Sequence, residues 1–326
     1  MAREYGEENL VLAVLPVMAP VVRGQFPKAT LITLPIRKKR ILLNVFVANI
    51  LRCFSSWRRL SATKVDAAVS LRHMRDYLMN VLFFSVRAGK RVVIENQLLG
   101  NGRPVRRWTE RGFLCLFRPL TLPYPGPSDG VPRELEAHRA LLAEVLGRKV
   151  AVSEVWPELH AVGALPVSGS YWVLAPFANG GGKDYPVSRW AELLEHLGRS
   201  PGIPALLLTG STDQKQRLEE FAASLPRELS GRTRLFLPGD LQQFINLLAG
   251  AECVLTVDTA AAHAATALDV RTLVLFSGQH TGTFGPWIRS PRQRWLLPAS
   301  RPEGAPWHDS HRTEEIAATV RDLLAC

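Results

Sequence analysis

Three short segments bring together residues able to hold a phosphorylated ligand. The first reads Pro176-Phe177-Ala178-Asn179-Gly180-Gly181-Gly182-Lys183. Consecutive glycines let backbone amides come close to an anion, and a lysine at the end of the run supplies positive charge. The second reads Thr256-Val257-Asp258-Thr259-Ala260-Ala261-Ala262-His263. Here a helix of small residues starts directly after an apolar run, and its free N-terminal amides would attract phosphate. The third, residues 276–286, is a polar, glycine-rich stretch that could cover a ligand. Taken singly, each has a plainer explanation: a surface turn, an N-cap at Asp258, a packed histidine at 263.

The surrounding pattern gives these segments a common platform. Residues 171–176, 205–209, 233–237, 252–257 and 272–276 are short apolar runs that read as strands. Helical periodicity falls between them. Trp190, Leu193, Leu194 and Leu197 share one face of a helix that Ser188 could cap and Gly198 could stop. Asp240 precedes a second such helix, with Leu241, Phe244, Ile245 and Leu248 on its face and Gly250 at its end. A charged helix starts near Asp213, and residues 259–268 form a helix of small residues. Strand and helix alternating over short loops predict a Rossmann-like domain on a parallel sheet, whose ligands sit at the carboxyl ends of the strands.

The first half is less regular. Residues 29–34, 65–71 and 92–95 are strand candidates, 119–132 reads as a Pro/Gly-rich loop, and 133–146 as a helix. Residues 161–170 are a plausible linker, which gives two domains, 1–165 and 166–326. Charge separates the halves sharply. Residues 1–150 hold 25 Lys+Arg against 11 Asp+Glu, whereas the remainder holds 15 against 18. A basic first half suits an anionic partner: a phosphorylated or lipid-linked glycan, the surface of a membrane, or nucleic acid. Nucleic acid is disfavoured because no recognisable binding module accompanies the arginines, although Trp57 and Trp108 lie among them. The four cysteines form no CxxC pair, so they read as cytoplasmic thiols rather than a disulfide frame or zinc site. No apolar stretch is long enough to span a membrane, and the acidic leader with Glu4, Glu7 and Glu8 is unlike a secretory signal.

In order and spacing, Lys183-Asp184-Tyr185-Pro186 with Trp190, Gly210, residues 247–251, Val257-Asp258-Thr259 with His263, and Gly285-Pro286 resemble glycosyltransferase family 9, which contains ADP-heptose:lipopolysaccharide heptosyltransferases. The resemblance covers about 120 residues and implies a GT-B fold, two Rossmann-like domains facing each other across a cleft. It implies an inverting, metal-independent transfer of a heptose or similar sugar from a nucleotide-diphosphate donor, ADP-heptose above all, to a lipopolysaccharide-core or other glycan. No cofactor is implied, and the location would be cytoplasmic, with contact at the inner face of the membrane.

By that resemblance Lys183, the backbone around Ala178 and Asn179, and the helix end at Thr259, Ala260 and His263 would hold the diphosphate, while Asp258 would bind the sugar hydroxyls. Thr212 stands where the family places a ribose-binding acid, with Asp213 beside it as a substitute, and Ala260 replaces the usual glycine. The family opens with a strand, a Gly-Asp pair carrying the general base, and a helix containing Leu-Pro. Here Leu15-Pro16 fits, but no aspartate precedes it, and too few residues precede Leu10 for a full strand and loop. The candidate bases are therefore Glu7, Glu8 and Asp66, with Asp76 and His73, the latter where the family places acceptor-facing polar residues, as further candidates. A homologue that binds the sugar nucleotide without transferring it is the competing expectation.

Overall fold

The computed structural model describes residues 1–36, 43–71, 77–95, 104–126, 130–178, 180, 182–198, 204–279, 281–299 and 306–325. The chain divides into two units, Met1–Val155 and Trp156–Cys326. Residues 156–164 fall in the second unit and are fastened there. The Leu159 amide donates to the Ala267 carbonyl (3.1 Å), and Asn246 both accepts from the Val162 amide (3.0 Å) and donates to its carbonyl (2.8 Å).

The first unit contains β1 (Val11–Val14) parallel to β2 (Thr30–Thr33), and a parallel sheet of β3 (Lys64–Ser70), β4 (Arg87–Ile94) and β5 (Leu120–Leu122). The expectation of a missing first strand is corrected. Val11–Val14 forms one, in register with residues 30–33. Leu15-Pro16 ends that strand and opens a 3-10 turn at Pro16–Met18, because proline cannot donate to a ladder but suits the first turn of a helix. The expected loop 119–132 likewise contributes a short strand, β5, whose residues pair with Val92, Val93 and Ile94. Ile32, Leu34, Cys53, Leu60, Leu78 and Leu82 form one apolar cluster. Val92, Ile94, Ala137 and Leu141 form another beneath the helix Arg133–Leu146, which ends where it was expected to end.

The second unit is built on a parallel sheet of β6 (Tyr171–Ala175), β7 (Ala205–Thr209), β8 (Thr233–Phe236), β9 (Cys253–Val257), β10 (Thr272–Leu275) and β11 (Gln293–Leu296). Their order is β11-β10-β9-β6-β7-β8. The chain therefore builds outward from β6 through β7 and β8, then returns to the other side of β6 and builds outward through β9, β10 and β11. The loops leaving β6 and β9 diverge at this reversal, which opens a crevice at the carboxyl edge of a doubly wound sheet.

β6 and β9 are buried along their whole length, which explains their unbroken apolar sequence. The helix after β6 spans Val187–Gly198, so Ser188 lies in its first turn rather than capping it. Its face Trp190, Leu193, Leu194 and Leu197 packs in one cluster with Ile316, Ala317 and Val320 of the helix Thr313–Ala325. Asp240 does cap its helix, accepting from the Gln243 amide at 2.8 Å. Both units have parallel α/β architecture. No helix among the described residues is long and apolar enough to cross a membrane.

Candidate functional site

The reversal between β6 and β9 brings together residues 75 positions apart. Lys183 Nζ lies 2.7 Å from Asp258 Oδ2. The Asp258 side chain is 3% exposed and that of Lys183 is 17% exposed, so the pair is withdrawn from water but open at the lysine end. His263 Nε2 lies 3.7 Å from the other Asp258 oxygen. Burial holds the His263 imidazole below the ordinary histidine range, the Asp258 charge opposes that shift, and the Lys183 charge adds to it.

Asp258 is not the N-cap of the following helix. That role belongs to Thr259, whose hydroxyl accepts from the Ala261 amide (3.2 Å) and meets the Thr256 hydroxyl (3.2 Å). The Asp258 carboxylate is thus left for Lys183, while the first turn of the helix Ala260–Ala267 presents its positive end beside them. Ala260, with its extra methyl group, is exposed.

Three side chains hold described residues of the glycine loop. Asp184 accepts from the Ala178 amide (2.6 Å) and from Arg217 (2.7 Å), so that particular backbone donor is engaged within the protein. Gln214 donates to the carbonyls of Phe177 and Ala178 (both 3.3 Å), and the Trp307 indole donates to the Gly182 carbonyl (2.9 Å). Gly182 has φ 70°, a conformation that a Cβ would strain. Asn179 lies outside the described residues, as do His73 and Asp76. Thr212 and Asp213 are exposed in a short 3-10 turn after β7, and Ser211 with Gln214 forms its capping box. Sequence reasoning did not single out Gln214, and it quoted Asp184 within a motif without giving it a task. Gln214 acts on backbone carbonyls, and Asp184 on a backbone amide and Arg217, partners that no motif reveals.

The segment after β10 folds back over the helix of small residues. The Trp287 indole donates to His263 Nδ1 at 3.0 Å, and Trp156 stacks on Trp287 with centroids 5.6 Å apart. Gly285 passes so close to Trp295 that an added Cβ would lie 3.0 Å from its ring, which accounts for glycine at this position.

The three nominated bases belong to the first unit. Glu7 and Glu8 form a short turn before β1, and the Glu7 carboxylate accepts from the Lys28 amide. Asp66 is the third residue of β3 and is exposed. All three are near the amino ends of their strands, whereas parallel sheets bind ligands at the carboxyl ends. Glu95, exposed directly after β4, occupies such an end and went unnoticed because its tripeptide context carries no motif. Sequence reading also found no metal-ligand cluster, yet Glu192, His196 and Glu314 bring their ligand atoms within 4.8 Å of one another. Glu314 comes from a distant helix, so spacing along the chain could not show the grouping.

The profile of the family described as Glycosyltransferase family 9 (heptosyltransferase) matches residues 132–303. Lipopolysaccharide heptosyltransferase 1 of Pseudomonas aeruginosa is 36% identical over 108 residues, which is 33% of this chain and 29% of that protein. The match therefore spans under a third of that relative's length. Among solved structures, the family 9 glycosyl transferase from Veillonella parvula aligns with TM-score 0.72 at 12% identity, covering 97% of this chain and 88% of the other. Escherichia coli heptosyltransferase WaaC with ADP-2-deoxy-2-fluoro heptose aligns with TM-score 0.63 at 17% identity, covering 96% and 88%. At these identities the structures speak for the fold, which is GT-B, and the profile, which takes in more than half of the chain, for the family. With the Lys183–Asp258 pair at the sheet reversal and the matching profile around it, the chain belongs to glycosyltransferase family 9.

Proposed function

We propose that this chain is an inverting glycosyltransferase that transfers a heptose or a similar sugar from a nucleotide-diphosphate donor to an anionic glycan. The carrying observation is the Lys183–Asp258 pair at the carboxyl edge of the sheet, beside the positive end of the helix Ala260–Ala267. In the reaction an acceptor hydroxyl attacks the anomeric carbon, a base takes its proton, and the nucleoside diphosphate leaves with the bonding electrons. Charge grows on the leaving phosphate. Lys183 and the helix amides would already be aimed at it, which is the arrangement that lowers such a barrier most. Asp258 would hold Lys183 in place and offer its second oxygen to a sugar hydroxyl. In this reading Lys183 and the helix end carry the countercharge, so no metal step is invoked.

ADP-heptose is the favoured donor, because the related WaaC structure contains an ADP-heptose analogue and the curated relative is a lipopolysaccharide heptosyltransferase. The acceptor, a lipopolysaccharide-core or other anionic glycan, would be taken by the basic first unit. The helix Leu43–Ala62 there exposes Leu51, Phe54 and Trp57 among Arg52, Arg58 and Arg59, which suits peripheral contact with an anionic membrane on its cytoplasmic face. Glu95 joins Glu7, Glu8 and Asp66 as a candidate base and is the one of the four at a carboxyl strand end. The positions of the other three favour a second reading, a homologue that binds the sugar nucleotide without transferring it.

Isothermal titration with ADP-heptose, ADP and UDP tests the donor site. Binding of ADP and ADP-heptose but not UDP is expected, and a folded chain that binds none of them would overturn it. Transfer to a heptose-deficient lipopolysaccharide core then separates the enzyme from the silent homologue.

A further inference from the structure

We infer that Trp287 is a positioning residue that fixes His263 as the neutral tautomer protonated on Nε2, so that this ring nitrogen donates a hydrogen bond to the donor diphosphate. The inference rests on the functional reading above for the identity of the ligand, but its first half concerns the imidazole alone.

An indole N–H can donate and cannot accept. Trp287 Nε1 lies 3.0 Å from His263 Nδ1, with the two ring planes within 10° of parallel. Nδ1 must therefore present its lone pair, and a neutral imidazole then carries its proton on Nε2. Protonation at Nδ1 would set two N–H groups against each other. The indole has little freedom to move away: Trp287 is buried and stacked on Trp156 with the planes 18° apart. Trp295 also approaches the imidazole, to 5.6 Å between ring centroids.

The opposite edge of the imidazole is turned toward the Lys183–Asp258 pair. At 3.7 Å from Asp258 Oδ1, Nε2 is too distant for a direct hydrogen bond. Its proton is thus not taken up by that carboxylate and, on the functional reading, is offered to the diphosphate. The charged groups facing the ring are Asp258, on the loop after β9, and Lys183, on the loop after β6. Their opposite influences leave burial as the dominant effect, and burial favours the neutral ring. A neutral donor suits a leaving diphosphate, because its hydrogen bond strengthens as phosphate charge grows without adding a second cation beside Lys183.

The test uses the full chain labelled with 15N-histidine. Long-range 15N–1H correlation spectra at pH 7.5 should show His263 protonated on Nε2 and bare on Nδ1. Trp287→Phe removes the indole N–H but keeps an aromatic ring; it should mix the tautomers, move the His263 titration upward, and weaken ADP binding about three- to tenfold. Trp156→Phe disturbs the same stack while leaving the indole N–H in place, and should keep the tautomer. In a His263→Gln chain, which retains an N–H donor but has no tautomers, adding Trp287→Phe should change ADP affinity less than twofold (about 0.4 kcal/mol). A wild-type ring protonated on Nδ1, or spectra unchanged by Trp287→Phe, would overturn the inference, and the wild-type spectrum can do so even if that variant fails to fold. If the tautomer is as stated but ADP does not bind the wild type, the ligand and the functional reading fall together while the role of Trp287 in setting the ring stands.

Discussion

Replacing Lys183 with methionine keeps the length of the side chain and removes its charge, leaving the Asp258 carboxylate buried opposite an apolar group. The structure sets the size of the effect. Removing one partner of a fully buried ion pair costs about 3–5 kcal/mol, chiefly from the stranded charge. Asp258 is 3% exposed, but Lys183 keeps 17% of its side chain in contact with solvent and His263 stands 3.7 Å from the other oxygen. The expected loss is therefore smaller, about 2–3 kcal/mol, which for a unit of this size lowers the melting temperature by about 4–12 °C. Six of the eight tryptophans lie in the second unit, so fluorescence-detected urea and thermal unfolding reports mainly on it. Lys183→Met with Asp258→Asn leaves two neutral partners and should recover at least half of the loss. A single variant within about 0.5 kcal/mol of wild type, or a double variant no more stable than the singles predict by addition, would refute this reasoning.

Two further outcomes are expected. Both His263 and His311 titrate below the ordinary value of 6.5, with burial as the main cause in each; His311 is opposed by the Phe276 backbone and by Glu315, and faces Arg189 and His308. Between those lowered values and 6.5 the unfolded chain binds more protons than the folded one, so stability is full above about pH 6.5 and falls as the pH drops below it, ahead of the carboxylates. Urea midpoints at pH 7.5 and 5.5 check this, and equal midpoints would contradict it. If Glu95 is the base, Glu95→Gln should lower kcat by at least about a hundredfold with donor affinity unchanged, whereas Glu7→Gln, Glu8→Gln and Asp66→Asn should leave kcat within threefold; measured transfer rates decide between them.

The second unit was readable from sequence because a parallel sheet covered on both faces writes its strands as apolar runs. β6, β7, β9 and β10 all show this. β11, with the sequence Gln-Arg-Trp-Leu, is an edge strand whose alternation is too short and too polar to stand out. β1 was hidden for another reason: its four residues sit inside an apolar stretch broken by prolines, where strand and helix leave the same composition. At the candidate site, Lys183 could be read from its place after the glycines, whereas the roles given to Asp258 and His263 came only from the family resemblance. The tasks of Trp287, Gln214 and Asp184 could not be read, since each acts through a partner that only the folded chain brings near. Asp258 itself could be read as a cap until the Thr259 hydroxyl was seen to take that position.

The hydrogen bond from Trp307 to the Gly182 carbonyl joins residues 125 positions apart. The matched family profile ends at residue 303, short of this tether. The shape of the glycine loop is therefore not written in the glycines alone, and the same eight residues grafted onto another βα turn would lose the clamp along with the neighbours. In evolutionary terms the loop is not a portable cassette. Loss of the Trp307 indole would release the Gly182 carbonyl, so the loop depends on a residue far outside it.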